Sequence, residues 1–152
     1  MNKVYIIGVG DNGRVSLGAE ALQRIHEADL LCGGERLLAF FPESKAEKFP
    51  IRSNLKELAQ RVSQNLATKQ IVVLASGDPL FYGVAKYLLA NISKEKVEVL
   101  PNVSSMQLAF AKVKENWEDA LLVSLHARPM AEVIDQVASA RKVGLFTDDT
   151  NT

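Results

Sequence analysis

Hydrophobic and polar positions along this chain follow two alternating periods. Short continuous apolar runs read as buried strands, and between them apolar residues recur every three or four positions, the spacing of an amphipathic helix. "KVYIIGV" (residues 3–9) predicts a first strand, followed by a helix over residues 18–28 with Leu22, Ile25 and Ala28 on one face and Ser16 as its cap. "DLLC" is a short second strand ended by Gly33 and Gly34, and "ERLLAFF" a short helix stopped by Pro42. "AEKFPI" is a candidate third strand that carries Pro50, a residue sheets tolerate mainly at an edge. Asn54 and Glu57 have capping-box spacing ahead of a helix whose stripe is Leu55, Leu58, Ala59, Val62 and Leu66. "QIVVLAS" is the clearest strand, apolar throughout as expected of a parallel strand covered on both faces. After "GDPL" comes a helix with Val84, Ala85, Leu88 and Leu89 inward, then a strand "KVEVL", a break at Pro101 and a helix "SSMQLAFAKV". "DALLVSLHAR", a helix over residues 130–141 and "KVGLFT" follow, as the start of a second sheet.

Strands separated by helices imply right-handed crossovers and a mostly parallel α/β sheet flanked by helices. Ligands of such sheets lie outside the carboxyl ends of the strands. Three loops qualify: residues 8–13, 76–79 and 101–105.

Composition narrows the function classes. The 152 residues give room for one domain or slightly more. Eighteen basic residues balance eighteen acidic ones, which argues against a general nucleic-acid surface. No apolar run approaches the length of a membrane span. The start "MNKVYII" lacks the pattern of a signal peptide, so the expected compartment is the cytoplasm. Cys32 is alone, which leaves no intrachain disulfide and no cysteine-based metal site to expect.

The first loop contains a literal G-x-G-x-x-G at Gly8, Gly10 and Gly13. A dinucleotide fingerprint turns directly into a helix and places an acid at the carboxyl end of the next strand. Here Arg14 to Leu17 intervene, and Asp29 stands at the wrong end of the second strand. The match is therefore read as coincidental, although three glycines and Asp11 at a strand exit suit close backbone approach. The second loop, "ASGDPLFYG", puts Gly77, Asp78 and Pro79 directly after the strongest strand. Two readings stay open for Asp78: a carboxylate that accepts hydrogen bonds from a ribose diol, or an N-cap with Pro79 at the first helical position. No G-x-x-x-x-G-K-[ST] is present, which argues against a triphosphate substrate.

Taken in order, "VYIIGVGDNG", "LASGDPLFYGVAKYLL", "VEVLPNVSSMQLAFAKV", "LLVSLHAR" and "KVGLFTDDTNT" resemble the tetrapyrrole (corrin/porphyrin) methylase family, with the Gly-Asp-Pro corner the most specific element. "GVGDNG", "ADLLCGGERLLAFFP" and "SLHAR" resemble its cobalamin-pathway branch, of the precorrin-6Y C5,15-methyltransferase or cobalt-precorrin C5-methyltransferase type. One departure is Leu37, which stands where many members of that branch have a histidine.

The resemblance implies an enzyme that uses S-adenosylmethionine, bound in a cleft between two α/β domains, to methylate a precorrin at C5. C15 methylation and decarboxylation would belong to a fused or separate module. It also implies a homodimer, no metal, no nucleic acid and no membrane. On this reading residues 1–116 form the first domain and residues 117–152 the beginning of a truncated second. Position by position, Val9, Gly77, Asp78, Phe81, Ser104 and Ser105 would meet the cofactor, and Gly8, Gly10, Asp11, His126 and Arg128 the tetrapyrrole. Arg128 would pair with a substrate carboxylate bidentately. Bland alternatives remain open: Ser104 as a helix cap, His126 as a structural histidine and Arg14 as a solvated surface charge. Diphthine synthase, a ribosomal-RNA ribose methylase and a non-catalytic α/β ligand-binding module are the rival readings. No residue is singled out as a catalytic base.

Overall fold

The computed structural model describes residues 3–126 and 129–147. The chain forms two compact units that meet at Ser104 and Ser105, ahead of the helix that the sequence reading placed in a first domain running to residue 116.

The first unit is a five-stranded sheet built from β1 (Val4–Val9), β2 (Leu30–Gly33), β3 (Glu47–Pro50), β4 (Ile71–Ser76) and β5 (Val97–Leu100). The order is β3-β2-β4-β1-β5, and every pairing is parallel. Its helices are α1 (Ala19–His26), α2 (Glu35–Leu38), α3 (Leu55–Asn65) and α4 (Ala85–Asn91). Alternation along β4 explains its unbroken apolar run. Ile71 and Val73 pack with Leu58, Val62 and Leu88 of α3 and α4. Val72 and Leu74 pack with Ala21 and Ile25 of α1 and Leu37 of α2 on the opposite face. Each such side chain removed from water stabilises the fold by about 1.5–3 kcal/mol. Asp29, rejected above as a ribose ligand, stands ahead of β2 and accepts a hydrogen bond from Gln70 N at 2.8 Å, tying the starts of β2 and β4 together. Pro50 ends β3, an edge strand, where its missing N–H costs no ladder bond on the open side.

Local details differ from the sequence reading. Gly18, not Ser16, is the N-cap of α1, because residues 13–16 form a 3-10 turn that occupies Ser16. Asn54 stands at the N-cap of α3 but forms no capping box; its side chain accepts from Arg52 N and donates to Pro50 O. The helix after Pro79 begins only at Ala85. Tyr82, at φ +54°, interrupts any helical run from Pro79. Residues 130–141 form a 3-10 turn (Met130–Glu132) and a shorter helix α6 (Ile134–Ser139).

The second unit contains α5 (Ser105–Val113), β6 (Leu121–Ser124), α6 and β7 (Val143–Phe146). β6 and β7 pair in parallel over a small core of Val123, Leu125 and Val133. Among the described residues no helix is long and apolar enough to cross a membrane, and no group of three or more His, Cys, Asp or Glu is placed to hold a metal ion.

Candidate functional site

β1 lies between β4 and β5, so the loops after these three strands leave the sheet side by side at its carboxyl edge. The register sets them closely: Gly8 faces Ala75 and Val9 faces Ser76, and Gly77 N donates to Val9 O at 2.8 Å. Here the structure brings together Gly8, Val9, Gly10, Gly77, Asp78 and Ser104, which the sequence had placed on separate loops.

The glycines are explained first by the chain itself. A Cβ on Gly8 would overlap the Gly77 carbonyl oxygen and stand 2.7 Å from Asn102 N. A Cβ on Gly10 would come 2.9 Å from Ser16 Cβ. Gly77, at φ +61°, turns the chain in the left-handed region, and a Cβ there would approach Ser104 Cα at 2.8 Å. The close partners of these glycines are thus the protein's own segments: Gly77 and Asn102 for Gly8, Ser16 for Gly10 and Ser104 for Gly77.

Asn102 and Ser16, neither assigned a site role from the sequence, lock this arrangement. Asn102 Nδ2 donates toward Ser16 O at 3.0 Å, Ser16 Oγ at 3.2 Å and Gly8 O at 3.2 Å, while its Oδ1 accepts from Val103 N at 2.8 Å. Ser16 Oγ accepts from Gly10 N at 2.8 Å and donates to Gly13 O at 2.6 Å. The signal available in the sequence was an amide residue directly after the strand-ending Pro101, a common turn chemistry.

Asp78 is half-buried. Its Oδ1 accepts from Leu80 N at 2.9 Å and its backbone carbonyl accepts from Phe81 N at 3.1 Å, so it makes a turn rather than the helix cap that was one of its two open readings. The Leu80 bond is the carboxylate's one hydrogen bond among the described residues, which leaves acceptor capacity for a ligand hydroxyl. Phe81 and Tyr82 pack with ring centroids 4.9 Å apart, and Tyr82 holds a positive φ that an aromatic residue rarely adopts. Val9 and Ser104 are buried, whereas Asp11 is exposed on the first loop. The large hydrophobic side chains exposed on the described part of the first unit are Val15, Leu80, Tyr82 and Val103, all on these three loops.

Ser105 opens α5 in the second unit, and His126 is exposed after β6, its N–H donating to Ser124 Oγ at 3.3 Å. Arg128 lies outside the described residues.

A parallel sheet whose carboxyl edge carries a glycine loop locked to a Gly-Asp-Pro corner defines a class, and comparison with known proteins agrees. Residues 3–150 match the model of the tetrapyrrole (corrin/porphyrin) methylases, and the chain belongs to that family. Among its relatives is the cobalt-precorrin-7 C(5)-methyltransferase of Salmonella typhimurium, 38% identical over 143 residues, an alignment covering 94% of this chain and 70% of that protein. The fold is that of the precorrin-6Y methylase from Archaeoglobus fulgidus, with a TM-score of 0.75 at 22% identity over 96% of this chain and 73% of the other. A uroporphyrin-III C-methyl transferase from Thermus thermophilus, solved in complex with S-adenyl homocysteine, superimposes with a TM-score of 0.61 at 22% identity over 81% of this chain and 55% of its own.

Proposed function

We propose that this chain is an S-adenosylmethionine-dependent C-methyltransferase of cobalamin biosynthesis that methylates a precorrin at C5. The observation that carries the reading is the carboxyl edge itself. The half-buried Asp78 carboxylate and the exposed side chains of Val15, Leu80, Tyr82 and Val103 stand on the loops after three adjacent strands. Apolar surface gathered at one edge marks a binding face, and it suits the flat surfaces of an adenine and a macrocycle.

The chain's own groups fit the cofactor. In our reading Asp78 accepts hydrogen bonds from the ribose hydroxyls through the carboxylate capacity that Leu80 N leaves open. Gly77 and the backbone near Phe81 complete that wall, Val9 forms its floor, and Ser104 and Ser105 approach from the third loop. Gly8, Gly10 and Asp11 face the tetrapyrrole. S-adenosylmethionine, when bound, supplies an electrophilic methyl group on a sulfonium. The protein's task is to hold an electron-rich ring carbon in line with that methyl and sulfur, and orientation of this kind supplies several kcal/mol of barrier lowering. The apolar loop residues exclude water from the same space. We take the working form to be a cytoplasmic homodimer, to be checked by light scattering and fractionation.

The test has two parts. Calorimetric titration with S-adenosylhomocysteine is expected to give saturable binding, and NAD none. Incubation of the full-length protein with S-adenosylmethionine and cobalt-precorrin-7 is expected to add one methyl group, located at C5 by NMR. Absence of saturable S-adenosylhomocysteine binding overturns the cofactor assignment. Binding without transfer to this substrate overturns the C5 assignment.

A further inference from the structure

Arg36 stands apart from the other described arginines. Arg14 pairs with Glu43, Arg24 with Glu27, Arg52 with Glu35, Arg61 with Glu47 and Arg141 with Asp119. Arg36 has no carboxylate within 4.0 Å among the described residues. Two acids near Arg36 in sequence are already taken, Glu35 of α2 by Arg52 and Glu43 by Arg14. The Arg36 side chain instead reaches the sheet edge, where Nη2 donates to Ser76 Oγ at 3.3 Å. Ser76 is the last residue of β4, directly before Gly77 and Asp78. A guanidinium has five N–H donors in a planar fork, and one weak bond to a neutral hydroxyl leaves most of them for a ligand.

We propose that Arg36 is a specificity-determining residue that grips a peripheral carboxylate of the tetrapyrrole substrate; the proposal rests on the C5-methyltransferase reading above. Tetrapyrroles of this class carry acetate and propionate arms, whose planar, doubly accepting carboxylates match the fork of an arginine. A zero formal net charge gives the protein no overall positive field to attract such an anion, so recognition falls to individually placed cations. Arg36 fits this role by position, since its bond to Ser76 Oγ brings the guanidinium to the edge that carries the proposed cofactor corner. The same bond leaves it outside the ion pairs that hold the neighbouring surface together.

The experiment compares wild type, Arg36→Gln and Arg36→Lys in steady-state methyl transfer to cobalt-precorrin-7, with S-adenosylhomocysteine affinity measured in parallel. Arg36→Gln is expected to raise KM for the tetrapyrrole about tenfold, the loss of one charge-assisted pair. kcat and S-adenosylhomocysteine affinity should stay within about twofold, since uniform binding is what KM alone reports. Arg36→Lys keeps the charge without the fork and should recover part of the loss. An unchanged KM in Arg36→Gln, or cofactor affinity falling in step with KM, overturns the proposal while leaving the C5 reading intact. A wild-type protein that does not methylate this substrate defeats the C5 reading, and the Arg36 proposal with it.

Discussion

A Cβ atom on Gly8 would overlap the carbonyl oxygen of Gly77. The obstacle is backbone from the neighbouring strand's loop, which cannot rotate away as a side chain does. Gly8→Ala is therefore expected to destabilise the protein by about 1–3 kcal/mol or more through overpacking. Gly18 is the opposite case: it caps α1 with no side-chain hydrogen bond, and nothing lies within 4 Å of its Cβ position. Gly18→Ser should add a few tenths of a kcal/mol by supplying the missing cap. Thermal denaturation of both variants checks the pair, and equal midpoints would contradict this account of the loop.

Asn102 and Ser16 form one network, so their removals should not add. Either alanine substitution leaves polar groups of the glycine loop without partners, at about 1–3 kcal/mol each. The double variant should cost clearly less than the sum, because both changes break the same bond from Asn102 Nδ2 to Ser16 Oγ. A double-mutant cycle in urea measures this coupling. A coupling energy of zero would mean that the two side chains act independently.

The strands and their crossovers were legible because burial on both faces leaves an unbroken apolar run, as in β4, and a helix on one face leaves a 3.6-residue stripe, as in α3. The site was legible only as loop positions. Strand order is a long-range property, and nothing in "KVEVL" says that β5 lies beside β1. Capping signals misled for a physical reason. Ser16, Asn54 and Asp78 are residues whose short side chains satisfy local turns as readily as helix ends, and in each case the turn took the side chain. The glycines were legible as close approaches, but the approaching group was found only when three loops were seen together. Arg36 was hidden because its meaning lies in the pairing of every other described arginine.

Cys32 is fully buried, and desolvation pushes its thiol up to about 12, opposed slightly by the charge of Arg61. The thiolate is the reactive form, so native protein should resist iodoacetamide at pH 8, while protein in denaturant reacts. Stability carries the same signature. Between an ordinary cysteine value and about 12 the unfolded chain ionises and the folded one does not, so the unfolded state binds fewer protons and stability falls as pH rises. Below that window both states are protonated and the effect vanishes. Cys32→Ala should flatten the alkaline loss seen by urea denaturation between about pH 9 and 12; an unaltered slope would place its origin elsewhere.

Asp78 joins two roles that one substitution confuses and two can separate. Its Oδ1 closes a turn by accepting from Leu80 N at 2.9 Å, and its charge is the proposed partner of the cofactor ribose. Asp78→Asn keeps a side-chain carbonyl for Leu80 N but removes the charge, whereas Asp78→Ala removes both. Asp78→Asn should therefore retain the wild-type melting midpoint and weaken S-adenosylhomocysteine binding by about 10-fold or more, the range for a hydrogen bond to a charged group. Asp78→Ala should weaken binding at least as much and also lower the midpoint, because the loop from Pro79 to Val84 loses its opening bond. Calorimetry and thermal denaturation of the two variants decide the matter. Full affinity in Asp78→Asn would show that the carboxylate serves the turn alone, and the ribose contact would have to be sought on the third loop, at Ser104 or Ser105.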